Sequence, residues 1–234
     1  MNKNGITIEQ AILIRKEGRN PDVAIGPSFH FRNLLNNPSY KKCVRFFKKR
    51  TNEWYFDIAE RLARRKRHRS GDIFVVMILN CIIIDLLSQY RYGSEASQRK
   101  FFKKFVKEHL SQYEREITPN IISCHFDKGW KRDDIDSVSE ALYHGFRCGL
   151  VHSARILEYG RINMVHDDAI VILPWTDTHV ENKRDIHVNP PLLLRELKVV
   201  FKHYIDNLLY SDIDELKTNF ISKFAFDYGI KIQA

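Results

Sequence analysis

The sequence predicts a mainly α-helical fold with one small β element. Three observations carry that expectation. Apolar residues recur at helical spacing, as in Phe101, Phe102, Phe105, Val106 and Leu110. Cap and stop residues punctuate the periodic runs, among them Thr7, Gly18, Asp72, Gly93 and the pair Pro190-Pro191. One stretch departs from the pattern. Arg161-Ile162-Asn163-Met164-Val165 and Ala169-Ile170-Val171-Ile172-Leu173 read as two short strands flanking His166-Asp167-Asp168, a β-hairpin spanning about 161–174.

In chain order, residues 7–17 predict a short helix and Gly18 to Ser39 a loop rich in Gly, Pro and Asn. Residues 40–68 predict a long basic helix bearing Phe46, Phe47, Trp54, Tyr55 and Phe56, broken at Ser70-Gly71-Asp72, where Asp72 caps the next helix. Residues 73–90 read as a core helix, with Gly93 at its C-terminal stop. An amphipathic helix follows over 95–115, then irregular chain over 116–132, then a helix from Asp133 or Asp134 to about Val151. Past the hairpin, residues 175–189 read as polar loop. Residues 192–209 and 212–227 read as two closing helices, with Pro190 and Pro191 suited to a helix start. The organisation expected is an N-terminal helix and loop over 1–39 and one helical domain over 40–234.

Composition limits the function. The 234 residues suffice to bury a sizeable core. Met1-Asn2-Lys3-Asn4-Gly5 lacks an apolar segment, which predicts no signal peptide. The longest apolar run, Ile73 to Leu87, contains Asn80 and Asp85 and reads as too short and polar to span a bilayer. Cys43, Cys81, Cys124 and Cys148 are scattered without a C-x-x-C. They predict reduced thiols in a cytoplasmic protein, with neither a disulfide framework nor a zinc site. There is no G-x-x-x-x-G-K-[ST] and no G-x-G-x-x-G, so no cofactor is expected.

The charge is localised. Between Lys41 and Arg69 lie twelve Lys and Arg against three acids, a surplus equal to the net +9 of the whole chain. A basic stripe of this kind is the footprint expected of a polyanion binder. The expected contacts are Lys48, Lys49, Arg61, Arg64, Arg65, Lys66, Arg67 and Arg69. The interleaved aromatics suit either base stacking or the core.

The most informative stretch is Leu142-Tyr143-His144-Gly145-Phe146-Arg147-Cys148-Gly149-Leu150-Val151-His152. It places Arg147 and His152 with four residues between them on a segment that otherwise reads as a buried helix. A cation that never deprotonates beside a group that titrates near neutral pH is what metal-free phosphodiester cleavage requires. Arg61 with His68, and Arg161 with His166, have similar spacing but lie in a charge run and a strand. His144, three residues before Arg147, reads as a packing residue.

Phe146-Arg147-Cys148-Gly149-Leu150-Val151-His152 resembles the R-x4-6-H motif of the HEPN superfamily of helical RNases and nucleic-acid-binding proteins. A second matching element is the apolar run Ile82 to Gly93, which bears Asp85 and ends in Tyr90-Arg91-Tyr92-Gly93. The resemblance implies a HEPN-like helical bundle acting as a metal-independent endoribonuclease. It also implies a homodimer and a toxin–antitoxin or phage-defence setting with an antitoxin or defence partner protein. His152 would be the acid or base, Arg147 the phosphate clamp, and Asp85 the residue that orients them. Family members often carry Asn, Asp or His after the arginine, where this chain has Cys148. The alternative is a non-catalytic module of the same type that binds RNA or protein.

Two matters are left to the structure. Five residues of ideal helix turn the side chain by about 500°, or about 140° net, so Arg147 and His152 should not share a face unless Gly149 loosens the helix, the long side chains converge from flanking faces, or a partner subunit supplies one of the two groups. His166-Asp167 has the look of a metal-binding dyad, but it falls at the expected hairpin turn, where Asp is favoured for backbone reasons.

Overall fold

The computed structural model describes residues 24–26, 29–30, 39–65, 70–93, 99–115, 135, 137–156, 159–174 and 184–228. They are mainly helical, with a small three-stranded sheet. The expected N-terminal helix over 7–17, Lys66, Arg67, Arg69, Cys124 and the irregular stretch 116–132 lie outside the described residues. The chain divides into two compact units. One comprises Met1–Ile58, Gln89–Ser97 and Phe201–Ala234, and the other Ala59–Ser88 and Gln98–Val200.

In the first unit, strands β1 (Ala24–Gly26) and β2 (Phe29–His30) pair antiparallel, within a stretch the sequence reads as loop. Helix α1 (Tyr40–Thr51) follows, then a wide π-type turn over Asn52–Phe56. Its buried side chains are Cys43, Val44, Phe46, Phe47 and Thr51. Phe47 packs on Tyr90 at 4.2 Å between centroids and meets Phe201, Tyr204 and Phe220 edge-on. Phe46 meets Phe224 and Tyr228, and Phe56 stacks on Phe201. Three of the aromatics of the basic stretch are thus core rather than base-stacking surfaces. The last helix, α8 (Asp214–Tyr228), anchors the unit through Tyr90 Oη, which donates to Asp227 at 2.8 Å.

The second unit takes most of α2 (Asp57–Ala63) and of α3 (Ser70–Tyr92), with α4 (Arg99–His109). The basic helix expected to reach residue 68 ends at Ala63. Helix α3 includes Ser70-Gly71-Asp72 instead of breaking there, because Asp72 accepts a bond from Arg65 at 3.0 Å while lying in the first helical turn. At 23 residues α3 is longer than its apolar run, and Gly71–Tyr92 is long and apolar enough to cross a membrane by length and composition. The length argument therefore fails. Its role as a core helix rests on packing: Val76, Met77, Ile83, Ile84 and Leu87 are buried, and buried Asn80 donates to Pro190 O at 2.9 Å. The helix stops at Gly93, whose φ of +69° suits glycine.

The motif segment begins at Val138, later than the expected Asp133 or Asp134. Ser137 caps it, accepting from Glu140 N at 3.4 Å, in the S-x-x-E spacing of a capping box. The segment runs as α5 (Val138–Ala141), a wide turn over Leu142–Cys148, and α6 (Gly149–Ser153). Ala154, with φ of +50°, ends it. Gly145 lies where a Cβ would come within 2.6 Å of the buried Tyr159 ring, so only glycine allows that approach.

The expected hairpin does not form. β3 (Gly160–Ile162) and β4 (Ile170–Pro174) do not pair with each other. Each pairs with β5 (Arg184–Val188), β3 in parallel and β4 antiparallel, in the order β3-β5-β4. The central strand lies in the stretch read as polar loop. Its signal is the alternation Ile186 and Val188, both buried, flanking His187. Asn189 ties the ends together: its N–H donates to Ala169 O, its amide to His166 O, and its Oδ1 accepts from Leu192 N to cap α7 (Pro190–Tyr210).

Candidate functional site

Arg147, His152 and Asp85 come together. Arg147 Nη1 donates to His152 Nε2 at 2.9 Å, and Nη2 donates to Asp85 Oδ2 at 3.0 Å. The convergence has a local cause. Gly149 N–H reaches His144 O, five residues back, so the wide turn has a smaller angular step per residue than an α-helix. The long arginine side chain covers the rest of the offset. The widening therefore lies before Gly149, and Gly149 closes it.

The three groups form a ladder from interior to surface. The side chains of Asp85 and Arg147 are 16% and 13% exposed, and His152 is exposed. Burial alone would destabilise the guanidinium charge, but the Asp85 carboxylate outweighs it and raises the pKa of Arg147 further. A guanidinium has only donors, so the contact with His152 needs a bare Nε2 and the ring proton on Nδ1. Asp85 sits on α3 and the other two on the motif segment, so packing of α3 sets the register of the site.

Two neighbours complete it. The Tyr143 ring lies 5.6 Å from Arg147 Cζ and meets Phe102 edge-on. Burial, together with Cys148 and Asp85, raises its phenol pKa against the opposing pull of Arg147. Burial likewise raises the Cys81 thiol. The sequence carries a signal for Tyr143, an aromatic four residues before an arginine, in the spacing that stacks the two on one helix face.

A second ionic cluster shares the segment. Glu140, 1% exposed, pairs with Arg99, Lys103 and His144. Burial pushes this carboxyl up, but His144, Lys103 and Arg99 overcome it and hold it down at about 2. His144 Nε2 thus meets Glu140 Oε1 at 2.8 Å, beyond the packing role expected. Near the sheet, His166 lies 5.8 Å from His187, whose Nδ1 is 3.0 Å from Asn163 Nδ2. Burial, His166 and Arg161 lower the His187 pKa. His166-Asp167 lies in the connection between β3 and β4 rather than in a hairpin turn. Among the described residues no group of three or more His, Cys, Asp or Glu is arranged to hold a metal.

The basic stretch divides. Lys48 and Lys49 are exposed on α1, and Arg61 is exposed on α2. Arg64 faces Glu60 at 3.1 Å and Arg65 faces Asp72, so both are paired with acids.

The molecule is thus a mainly helical protein bearing a carboxylate–guanidinium–imidazole ladder. No family model, no curated protein and no solved structure matches the chain.

Proposed function

We propose that the protein is a metal-independent endoribonuclease of HEPN type. The observation that carries this reading is the chain Asp85–Arg147–His152, with two mostly buried members holding an exposed imidazole. The ribose 2′-oxygen forms a bond to the adjacent phosphorus, and the bond to the 5′-oxygen breaks, leaving a cyclic phosphate and a 5′-hydroxyl. His152 takes the proton from the 2′-hydroxyl, and the leaving oxygen takes one from water. Arg147 offsets charge building on the phosphorane, and Asp85 holds the guanidinium in place. A phosphate oxygen that takes over the Nη1 hydrogen frees the Nε2 lone pair, so substrate binding itself would arm the base. A homodimer, an RNA partner, an antitoxin or defence partner protein and a cytoplasmic setting belong to the same reading. The expected RNA contacts Lys48, Lys49 and Arg61 are exposed, which fits it.

A second reading is a non-catalytic RNA- or protein-binding module. It is favoured by Cys148, where family members often have a polar residue, and by the engagement of both Arg147 Nη atoms within the chain. An RNase assay in EDTA separates the two. The nuclease reading expects activity in the parent protein and its loss, by about 10²-fold or more, in both His152→Ala and Arg147→Ala, with folding intact. An inactive parent supports the module.

A further inference from the structure

Every exposed residue of α1 is a cation. Lys41, Lys42, Arg45, Lys48 and Lys49 are exposed, while Cys43, Val44, Phe46 and Phe47 are buried. The spacing i, i+1, i+4, i+7, i+8 lays the five along one helix face over about 12 Å. Lys49 also lies 3.9 Å from Glu53, and the other four belong to a helix with no acid in its sequence. By contrast Arg64 and Arg65, from the same basic stretch, are matched by Glu60 and Asp72.

We propose that this face of α1 is a docking surface for the phosphodiester backbone of duplex RNA. That the nucleic acid is RNA rests on the ribonuclease reading above. The duplex follows from the face itself. A single-strand binder needs aromatic platforms for unstacked bases, and none of the five positions supplies one. Phe46 and Phe47 of α1 are turned into the core and Tyr40 packs edge-on against Phe220, while the ring of the exposed Trp54 just beyond the helix already lies under the Arg50 guanidinium at 4.8 Å. A duplex hides its bases and presents closely spaced phosphates, which flexible ammonium groups meet without sequence preference. A bilayer fits poorly, because an interfacial helix sinks an apolar face into the lipid, and the apolar face of α1 is buried in the protein. A protein partner fits poorly too, because lysine is depleted in interface cores.

The test uses the full chain carrying His152→Ala, which silences cleavage. Affinity for a blunt-ended RNA duplex is measured over a range of salt, with single-stranded RNA and phosphatidylserine vesicles in parallel. Duplex binding should be tightest. The combined change Lys41→Gln, Lys42→Gln, Arg45→Gln and Lys48→Gln should flatten the plot of log affinity against log salt by about 0.7–1 for each charge removed. Because these residues are exposed, the unfolding midpoint should hardly move. Neutralising Arg64 and Arg65 should change the slope less. An unchanged slope in the combined variant, a preference for single strands, or binding to vesicles but not duplex overturns the proposal. Cleavage of a dinucleotide by the parent protein, with His152 intact, reports on Arg147 and His152. Dinucleotide cleavage with an unchanged slope sinks only the docking face. Charge-dependent duplex binding without any cleavage sinks only the nuclease.

Discussion

Two carboxylate–cation clusters share the segment Val138–Ser153, and they are built in opposite senses. In one, the cation is central: Arg147 has Asp85 on its inner side and the exposed His152 on its outer side. In the other, the anion is central: Glu140 is buried and surrounded by Arg99, Lys103 and His144. A central guanidinium at a surface still has a use for a second anion. A buried carboxylate already facing three basic side chains has its charge satisfied and cannot reach a substrate. The same ion-pair chemistry therefore gives a candidate site in one place and a fastening between α4 and the motif segment in the other.

The largest expected effects separate the two. If the proposed ribonuclease reading holds, His152→Ala should lower that activity by about 10²–10⁴-fold, while its exposure keeps the stability change within about 0.5 kcal/mol. Glu140→Gln should do the reverse. It deprives Arg99, Lys103 and His144 of their shared acceptor, at a cost of about 3 kcal/mol in denaturant unfolding. Activity measured well below the unfolding midpoint should be little changed. Equal losses of both kinds in both variants would dissolve the distinction.

The pH dependence sharpens it. Glu140 is held at about 2, against an ordinary value of 4.5. Between those values the unfolded chain binds a proton that the folded chain refuses. Its contribution, up to about 3 kcal/mol, is thus complete above about 4.5 and fades as the pH falls toward about 2. The stability gap between the parent protein and Glu140→Gln should close over that window. A gap independent of pH would mean that shape, rather than charge, makes Glu140 important.

Much of this was legible in the sequence, and the failures have physical reasons. The helices α3, α7 and α8 follow from long apolar periodicity, and Gly93 and Pro190 mark real ends. The pairing of Arg147 with His152 was legible as spacing. It was hidden as geometry, because an ideal pitch separates the two and only the wide turn brings them together. Glu140 gave no sequence signal, because two of its three partners, Arg99 and Lys103, lie about forty residues upstream and only His144 is local. The hairpin failed because strand pairing is non-local. Two apolar runs only three residues apart look like partners until β5, with only Ile186 and Val188 to mark it, takes the place between them.

A steric change tests how far the two clusters depend on one backbone. Gly145 lies between Glu140 and Arg147, and an added Cβ would come within 2.6 Å of Tyr159, which is fully buried. Gly145→Ala should cost about 1–3 kcal/mol, since the ring has nowhere to retreat. It should also reduce activity, because shifting the wide turn moves Arg147 away from Asp85. Loss of stability with undiminished activity per folded molecule would show that the ladder tolerates displacement of its helix.

The smallest effect belongs to the exposed pairs. Arg64 faces Glu60 four residues earlier, with 79% of its side chain exposed. Water screens such a pair, and ordering a long side chain offsets most of what remains. Arg64→Ala should therefore change unfolding by less than about 0.5 kcal/mol, and Glu60 still has Lys198 as a partner. A cost near that of Glu140→Gln would mean that burial is not what distinguishes the fastening cluster from an ordinary surface ion pair.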